Sequence, residues 1–135
     1  MTDDAIEPER FRRQIDLLLR PFDLGPFELL IVDSVQAWAR NVGITEKDSE
    51  RMAMALRRSD GHAIIVLRQH ITPDMQAGVK DALLFYGFAD QEIRTLDSPA
   101  SFLEHLVLHE AAHLVLDNPS ESDCDRWAFD HLAGW

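Results

Sequence analysis

The residues with the clearest capacity for chemistry are His109-Glu110-Ala111-Ala112-His113, an HExxH pentapeptide inside an apolar run. On a helix, residues four apart stand one above the other. His109 and His113 can therefore present both imidazoles to one metal ion, with Glu110 at their flank. Histidine is the commonest metal ligand, and hydrolytic zinc is typically held by three protein groups with a fourth position left to water. The third group must come from nearby structure. Glu121 and Asp125 stand four residues apart on the following segment, hence on one helical face, and Asn118-Pro119 turns the chain back toward the pentapeptide. The preferred arrangement has His109, His113 and Glu121 binding Zn2+, while Asp125 accepts the spare ring N–H of a liganding histidine and fixes its tautomer. Glu110 is then the general base, taking a proton from a metal-activated water and passing it to the leaving amine of a peptide. The chemistry expected is metal-assisted amide hydrolysis, with a protein or peptide as substrate.

Two helices must position these groups. Ser98-Pro99 reads as N-cap and first residue of the motif helix, which runs to about Leu116 before Asn118-Pro119 breaks it. Ser120 with Asp123 is a capping pair for the last helix, whose apolar stripe is Trp127, Ala128 and Leu132. Upstream, Pro8 opens an amphipathic helix through Phe11, Ile15, Leu18 and Leu19, and Pro21 closes it. Leu29 to Val32 has the look of a buried strand, yet Val35, Trp38, Ala39 and Val42 continue at helical spacing to Gly43. A helix is favoured from Pro26 to Gly43. Thr45 with Asp48 suggests a cap for a further helix bearing Met52, Ala55 and Leu56, ended by Ser59-Asp60-Gly61. His62 to Ile71 holds the best strand, built on Ala63-Ile64-Ile65-Val66-Leu67. Thr72-Pro73 starts a helix with Met75, Val79, Ala82, Leu83 and Tyr86 on one face and Gly87 as its stop, and Glu92 to Asp97 reads as a second strand. The expected fold class is α+β: one mostly helical domain over residues 1–135 with a small β-sheet, the HExxH on a long helix, and a short C-terminal ligand helix after it.

Composition narrows the function classes. A chain of 135 residues can bury a sizeable core without disulfide or metal staples. The lone Cys124 cannot form an internal disulfide, and Met1-Thr2-Asp3-Asp4 places acids where a secretory signal would place basic residues, so a soluble, cytoplasmic protein is expected. No apolar run approaches the ~20 residues needed to cross a bilayer. Thirteen basic against 24 acidic residues give a formal charge of -11, which repels phosphate backbones and anionic membrane surfaces. Neither nucleic acid nor membrane is expected as a direct partner.

His109-Glu110-Ala111-Ala112-His113 followed by Glu121-Ser122-Asp123-Cys124-Asp125-Arg126-Trp127-Ala128 resembles the zincin metallopeptidases of the gluzincin type, and most closely the pattern of ImmA/IrrE-like proteins. In that family a later helix carries an acid-rich signature with a small residue, an Asn or Asp, an aromatic and an alanine, places matched here by Cys124, Asp125, Trp127 and Ala128. The resemblance covers about the last forty residues. It has a weaker echo in the strand from His62 to Ile71, which resembles the edge strand that holds extended substrate in zincins. The resemblance implies a zincin-like domain and an intracellular bacterial or phage-associated protease acting on a repressor or related regulator. The family's second acid corresponds to Asp123, so Asp123 competes with Glu121 for the ligand role. The E-x-x-x-D spacing of Glu121 and Asp125 favours Glu121.

Other residues carry weaker readings. His131 or Tyr86 can donate to a substrate oxyanion, and His105, one turn before His109, reads as a partly exposed helix residue with lining the site as the alternative. Asp117 is placed at a helix end, where the dipole disfavours an acid. Cys124 is expected as a small buried residue beside the site, and Trp38, Trp127 and Phe102 as core. The alternative function is a metal-binding module without turnover, in which Cys124 or Asp123 completes a closed coordination shell and the site serves partner recognition. A third is an acidic helical adaptor without metal.

Overall fold

The computed structural model describes residues 5–44 and 50–134. A 3-10 turn, Pro8–Phe11, leads into α1 (Arg12–Leu19), whose Ile15 and Leu19 are fully buried as the helical spacing requires. From Phe27 the chain departs from the expected helix. Phe27–Val32 is a strand, β1, and the helical pattern begins only at α2 (Val35–Asn41). The boundary is chemical: the Ser34 hydroxyl accepts from the Ala37 N–H at 3.1 Å, and Glu50 accepts from the Ser34 hydroxyl at 2.6 Å and from the Gln36 N–H at 3.0 Å. A serine capped this way starts a helix at its own position and leaves the preceding apolar run free to pair as a strand.

The helix expected around Met52 is also a strand, β2 (Ala53–Arg57), and the proposed Thr45–Asp48 cap lies outside the described residues. Ala-Met-Ala-Leu-Arg favours helix by propensity, and pairing overrides it. β2 runs antiparallel to β3 (Ala63–Arg68), closing a hairpin in which Gly61, at φ 91°, takes the left-handed conformation the turn needs. β1 pairs with β3 in parallel, giving a three-stranded mixed sheet in the order β1-β3-β2. The expected strand at His62 to Ile71 is therefore present but central. The edges are β1 and β2.

The sheet is covered on both faces, which is why none of its strands shows a clean polar alternation. On one face Val35 and Ala39 of α2 pack on Met54, Ile64 and Val66. On the other, Ala53, Ile65 and Leu67 join the larger core with Ile15 and Leu19. α3 (Pro73–Phe85) starts as expected, Thr72 accepting from the Met75 N–H, but buries only Leu83. Gly78 sits inside it at a cost of about 1 kcal/mol relative to alanine. The expected strand at Glu92 to Asp97 is instead a short helix, α4 (Asp90–Thr95), with Asp90 and Glu92 in its first turn and Glu92 gripped by Arg126 through both guanidinium nitrogens at 2.8 Å.

α5 (Pro99–Val115) is capped by Ser98 and is apolar nearly all round, as a helix enclosed by the fold must be. Its Phe102, Leu103, Val107, Ala111 and Ala112 are buried against the sheet, α1 and α6. Asn118, at φ 51°, adopts the left-handed turn that asparagine tolerates and reverses the chain into α6 (Glu121–Asp130). Ser120 and Asp123 form the full capping box there. Cys124, Asp125 and Ala128 lie on the buried face of α6, and their small size lets it sit close to α5. Buried Glu104 accepts from the Ala133 and Gly134 backbone N–H groups, fastening the segment after α6 back onto α5. Phe102 is core as expected, while Trp38 and Trp127 are half-buried at its margins. No helix among the described residues is long and apolar enough to cross a membrane.

Candidate metal centre

The turn at Asn118 brings the start of α6 against the last turns of α5. His109 Nε2 lies 2.8 Å from Glu121 Oε2, and His113 Nε2 lies 3.4 Å from Glu121 Oε1. The two imidazoles thus address the two oxygens of one carboxylate. On its other side the His109 ring donates Nδ1–H to Asp125 Oδ1 at 2.7 Å. Two imidazoles and one carboxylate, with a second carboxylate orienting the first imidazole, are a donor set that suits zinc once the ion displaces the proton on His109 Nε2. Asp123 is spent in the capping box and does not join the cluster. His131 packs on Trp127, ring centroids 4.1 Å apart, with its Nδ1 2.7 Å from the Trp127 carbonyl, and is not among the groups around the cleft. Asp117 is exposed and also outside the cleft lining. Tyr86 does line it.

Cys124 is fully buried beneath the histidines, and its Sγ lies within 4.8 Å of ligating atoms of both His109 and His113. It is a competing donor. Burial, with the surrounding carboxylates, pushes its thiol up to about 12, whereas Glu121 is held below the ordinary carboxylate range chiefly by its hydrogen bond from His109. Glu121 therefore offers its charged, ligating form without further deprotonation.

His105 was expected to be partly exposed. It is 2% exposed, and its Nε2 donates to the same Asp125 oxygen at 3.1 Å. Asp125 is thus held between two histidines, one on each side. The sequence signal was available: 105, 109 and 113 share one helical face, and a histidine flanked by Leu106 and Phe102 has an apolar neighbourhood. Among the described residues His105 Nδ1 has no hydrogen-bond partner, an orphaned buried polar atom of the kind that costs about 1–3 kcal/mol. A fold that carries that cost has an aligned Asp125 in return. His105→Phe, with the ring of Phe129 already 4.5 Å away to pack on, should leave the protein folded and weaken zinc binding about 10- to 100-fold, as read by competition with a chromophoric chelator.

The protonation states follow from the same contacts. Burial opposes charge on His109, but the hydrogen bonds to Asp125 and Glu121 outweigh it and raise its pKa to about 10. His113 moves the other way, held down by burial. Burial is the largest single influence on Asp125 and would raise its pKa, but the hydrogen bonds and charge of His105 and His109 together outweigh it and hold the carboxyl low. Burial pushes Glu110 up to about 7. A pKa raised on folding adds stability that is fully present below the unfolded value and is lost as pH rises through the folded one. For His109 that window runs from 6.5 to about 10. The melting temperature of chelator-treated protein should fall across it, and Asp125→Asn should flatten the slope.

The cluster lies between two clefts that share Arg51, Glu110 and Glu121 in their walls. The larger, about 610 Å3, is bounded by Met75, Gly78, Val79, Ala82 and Tyr86 of α3 and by Glu50 to Ala53, with Leu106, His109 and Glu110 at its base. The smaller, about 290 Å3, runs along Met54, Ala55 and Leu56 of β2 past His113. Arg51, at both entrances, is a cation that sequence reading did not single out, because nothing in its neighbourhood marks it. Fold and cluster together define an α+β domain with a two-histidine, one-carboxylate group between open clefts. Comparison with known proteins adds no family to that description: no protein-family model fits the chain, and no curated protein or solved structure matches it.

Proposed function

We propose that the protein is a zinc-dependent metallopeptidase that hydrolyses peptide bonds of a protein substrate. The observation that carries this reading is the convergence of His109 Nε2 and His113 Nε2 on the Glu121 carboxylate, with Glu110 beside them at the base of an open cleft. His109, His113 and Glu121 would hold the ion, and zinc in such a site acidifies a water and polarises a carbonyl. Glu110 accepts the proton of the attacking water and returns it to the departing amine. Burial supports that shuttle, since a carboxyl raised to about 7 takes and releases protons near neutral pH. Asp125 keeps His109 Nδ1 protonated, so that Nε2 would be the atom that binds the ion.

The substrate backbone has a place beside these groups. In the β2–β3 ladder the Met52 carbonyl and the Arg58 N–H point toward β3, so the N–H and C=O groups of Ala53, Ala55 and Arg57 point the other way. Among the described residues no strand pairs with that edge. An extended peptide added there would run past Glu110 and His113. In zincin terms β2, rather than β3, is the substrate-holding edge. The resemblance to ImmA/IrrE-like proteins extends the reading to a cytoplasmic bacterial or phage protease whose target is a regulator or repressor.

The experiment is incubation of zinc-loaded protein with a proteome-derived peptide library, new termini being read by mass spectrometry. Cleavage that a chelator stops and zinc restores is expected. No new termini from fully loaded protein would contradict the reading. One observation favours a second reading, a metal-binding module without turnover: Cys124 lies close enough to both histidines to close the shell.

A further inference from the structure

The α3 wall of the larger cleft is unlike an ordinary helix surface. Met75, Gly78, Val79, Ala82 and Tyr86 recur at helical spacing on one stripe, and the fold covers the stripe only in part: Met75 and Val79 are half-buried against the core, while Gly78, Ala82 and Tyr86 are exposed. Gly78 has no structural reason to be glycine. Its backbone is not in the left-handed region, and a Cβ placed on it would meet nothing within 4 Å among the described residues. Glycine inside a helix weakens it relative to alanine, so the fold bears a cost that none of its own contacts explains. What glycine leaves at that position is space in the cleft, whose lining also includes Met52, Ala53 and Leu106. Among the described residues the carboxyl groups around that space are those of Glu50, Glu110, Glu121 and Asp125, facing Arg51 and the imidazole of His109, in a chain of formal charge -11.

We propose that the α3 stripe centred on Gly78 is a selectivity pocket that receives one large apolar side chain, leucine- or phenylalanine-sized, of an extended peptide carrying basic residues beside it. This rests on the peptidase reading for the substrate being a peptide. The apolar wall supplies the affinity for the side chain, and the chain's excess of acidic residues favours basic flanks and disfavours acidic ones. Gly78 is a specificity-determining residue, and its lack of a side chain sets the size that fits.

The test separates binding from turnover. Zinc-loaded Glu110→Gln protein is titrated with fluorescein-labelled peptides of alanine and lysine that differ at one central position, Gly, Ala, Val, Leu or Phe, and binding is read by anisotropy. The Leu and Phe peptides should bind about 10-fold or more tighter than the Ala peptide, as burial of one such side chain implies. Adding Gly78→Val should reduce that preference to under about 3-fold while leaving the Ala peptide's affinity in place. Gly78→Ala should raise the melting temperature by about 2–4 °C and cut the preference partially, which keeps the test alive if the valine variant folds poorly. Replacing the flanking lysines by glutamates should weaken binding of every peptide. An unchanged Leu-over-Ala preference in the Gly78 variants, or no binding of any peptide, would overturn the proposal. If wild-type protein cleaves none of these peptides but the preference and its loss in Gly78→Val are seen, the pocket stands and the peptidase reading falls.

Discussion

Glu110→Gln should leave zinc content unchanged and lower peptide hydrolysis by about 10^2- to 10^4-fold, the range attributable to a positioned general base. The variant should fold. Glu110 is 9% exposed and its carboxyl is pushed up to about 7 by burial, so the site already tolerates a neutral group of this shape, and glutamine supplies one. Glutamine cannot accept a proton at neutral pH, and it makes no demand on the metal because Glu110 is not among the three groups that would hold it. Zinc per chain and initial rates on a common peptide substrate, measured together, separate the two roles. Loss of zinc in this variant would mean that Glu110 is a ligand, and unchanged turnover would mean that the base lies elsewhere.

The second large effect falls on the third ligand. Glu121→Ala should weaken zinc binding by more than 100-fold, beyond the 10- to 100-fold typical of groups that only orient a ligand, and Cys124→Ala should leave it within a few-fold. The geometry argues for that order. Glu121 meets the Nε2 atoms of both histidines at 2.8 and 3.4 Å, on the open side of the cluster, and its charge is already formed. Cys124 lies on the buried side with its thiol held up at about 12. Cobalt loading gives an independent readout, because a thiolate ligand adds an intense near-ultraviolet charge-transfer band. Its absence in wild type, with Cys124→Ala indistinguishable, is expected; its presence would favour the closed, non-catalytic site.

Much of the site was legible because its determinants are local. The spacing of His109 and His113, the Ser98 and Ser120 caps, and the i, i+4 relation of Glu121 and Asp125 each depend on residues within a turn or two, and helix geometry does the rest. The Asn118-Pro119 turn then places one helix end against the other, with Asn118 supplying the left-handed residue. The strands were less legible because they depend on partners. Nothing in Ala53–Arg57 prefers a strand over a helix until β3 lies alongside, and Phe27–Val32 merges into α2 unless the role of Ser34 as cap is seen, a role secured partly by Glu50 sixteen residues away. Glu92 to Asp97 misled in the opposite sense: the acids in its first turn and the grip of Arg126 make it helical. His105 was underrated for a similar reason, since its partner lies on another helix. The half-covered flank of α3 was invisible, because an apolar stripe at helical spacing reads as core throughout, whereas the fold packs Met75 and Val79 and leaves Gly78, Ala82 and Tyr86 exposed.

Zinc stoichiometry of the wild-type protein tests the central claim most directly. Protein purified without added metal, then supplemented with zinc and freed of excess by desalting, should carry one zinc per chain by elemental analysis, and Glu121→Ala treated in parallel should carry almost none. Wild-type protein that retains no zinc after supplementation would contradict the metal centre and the peptidase reading built on it.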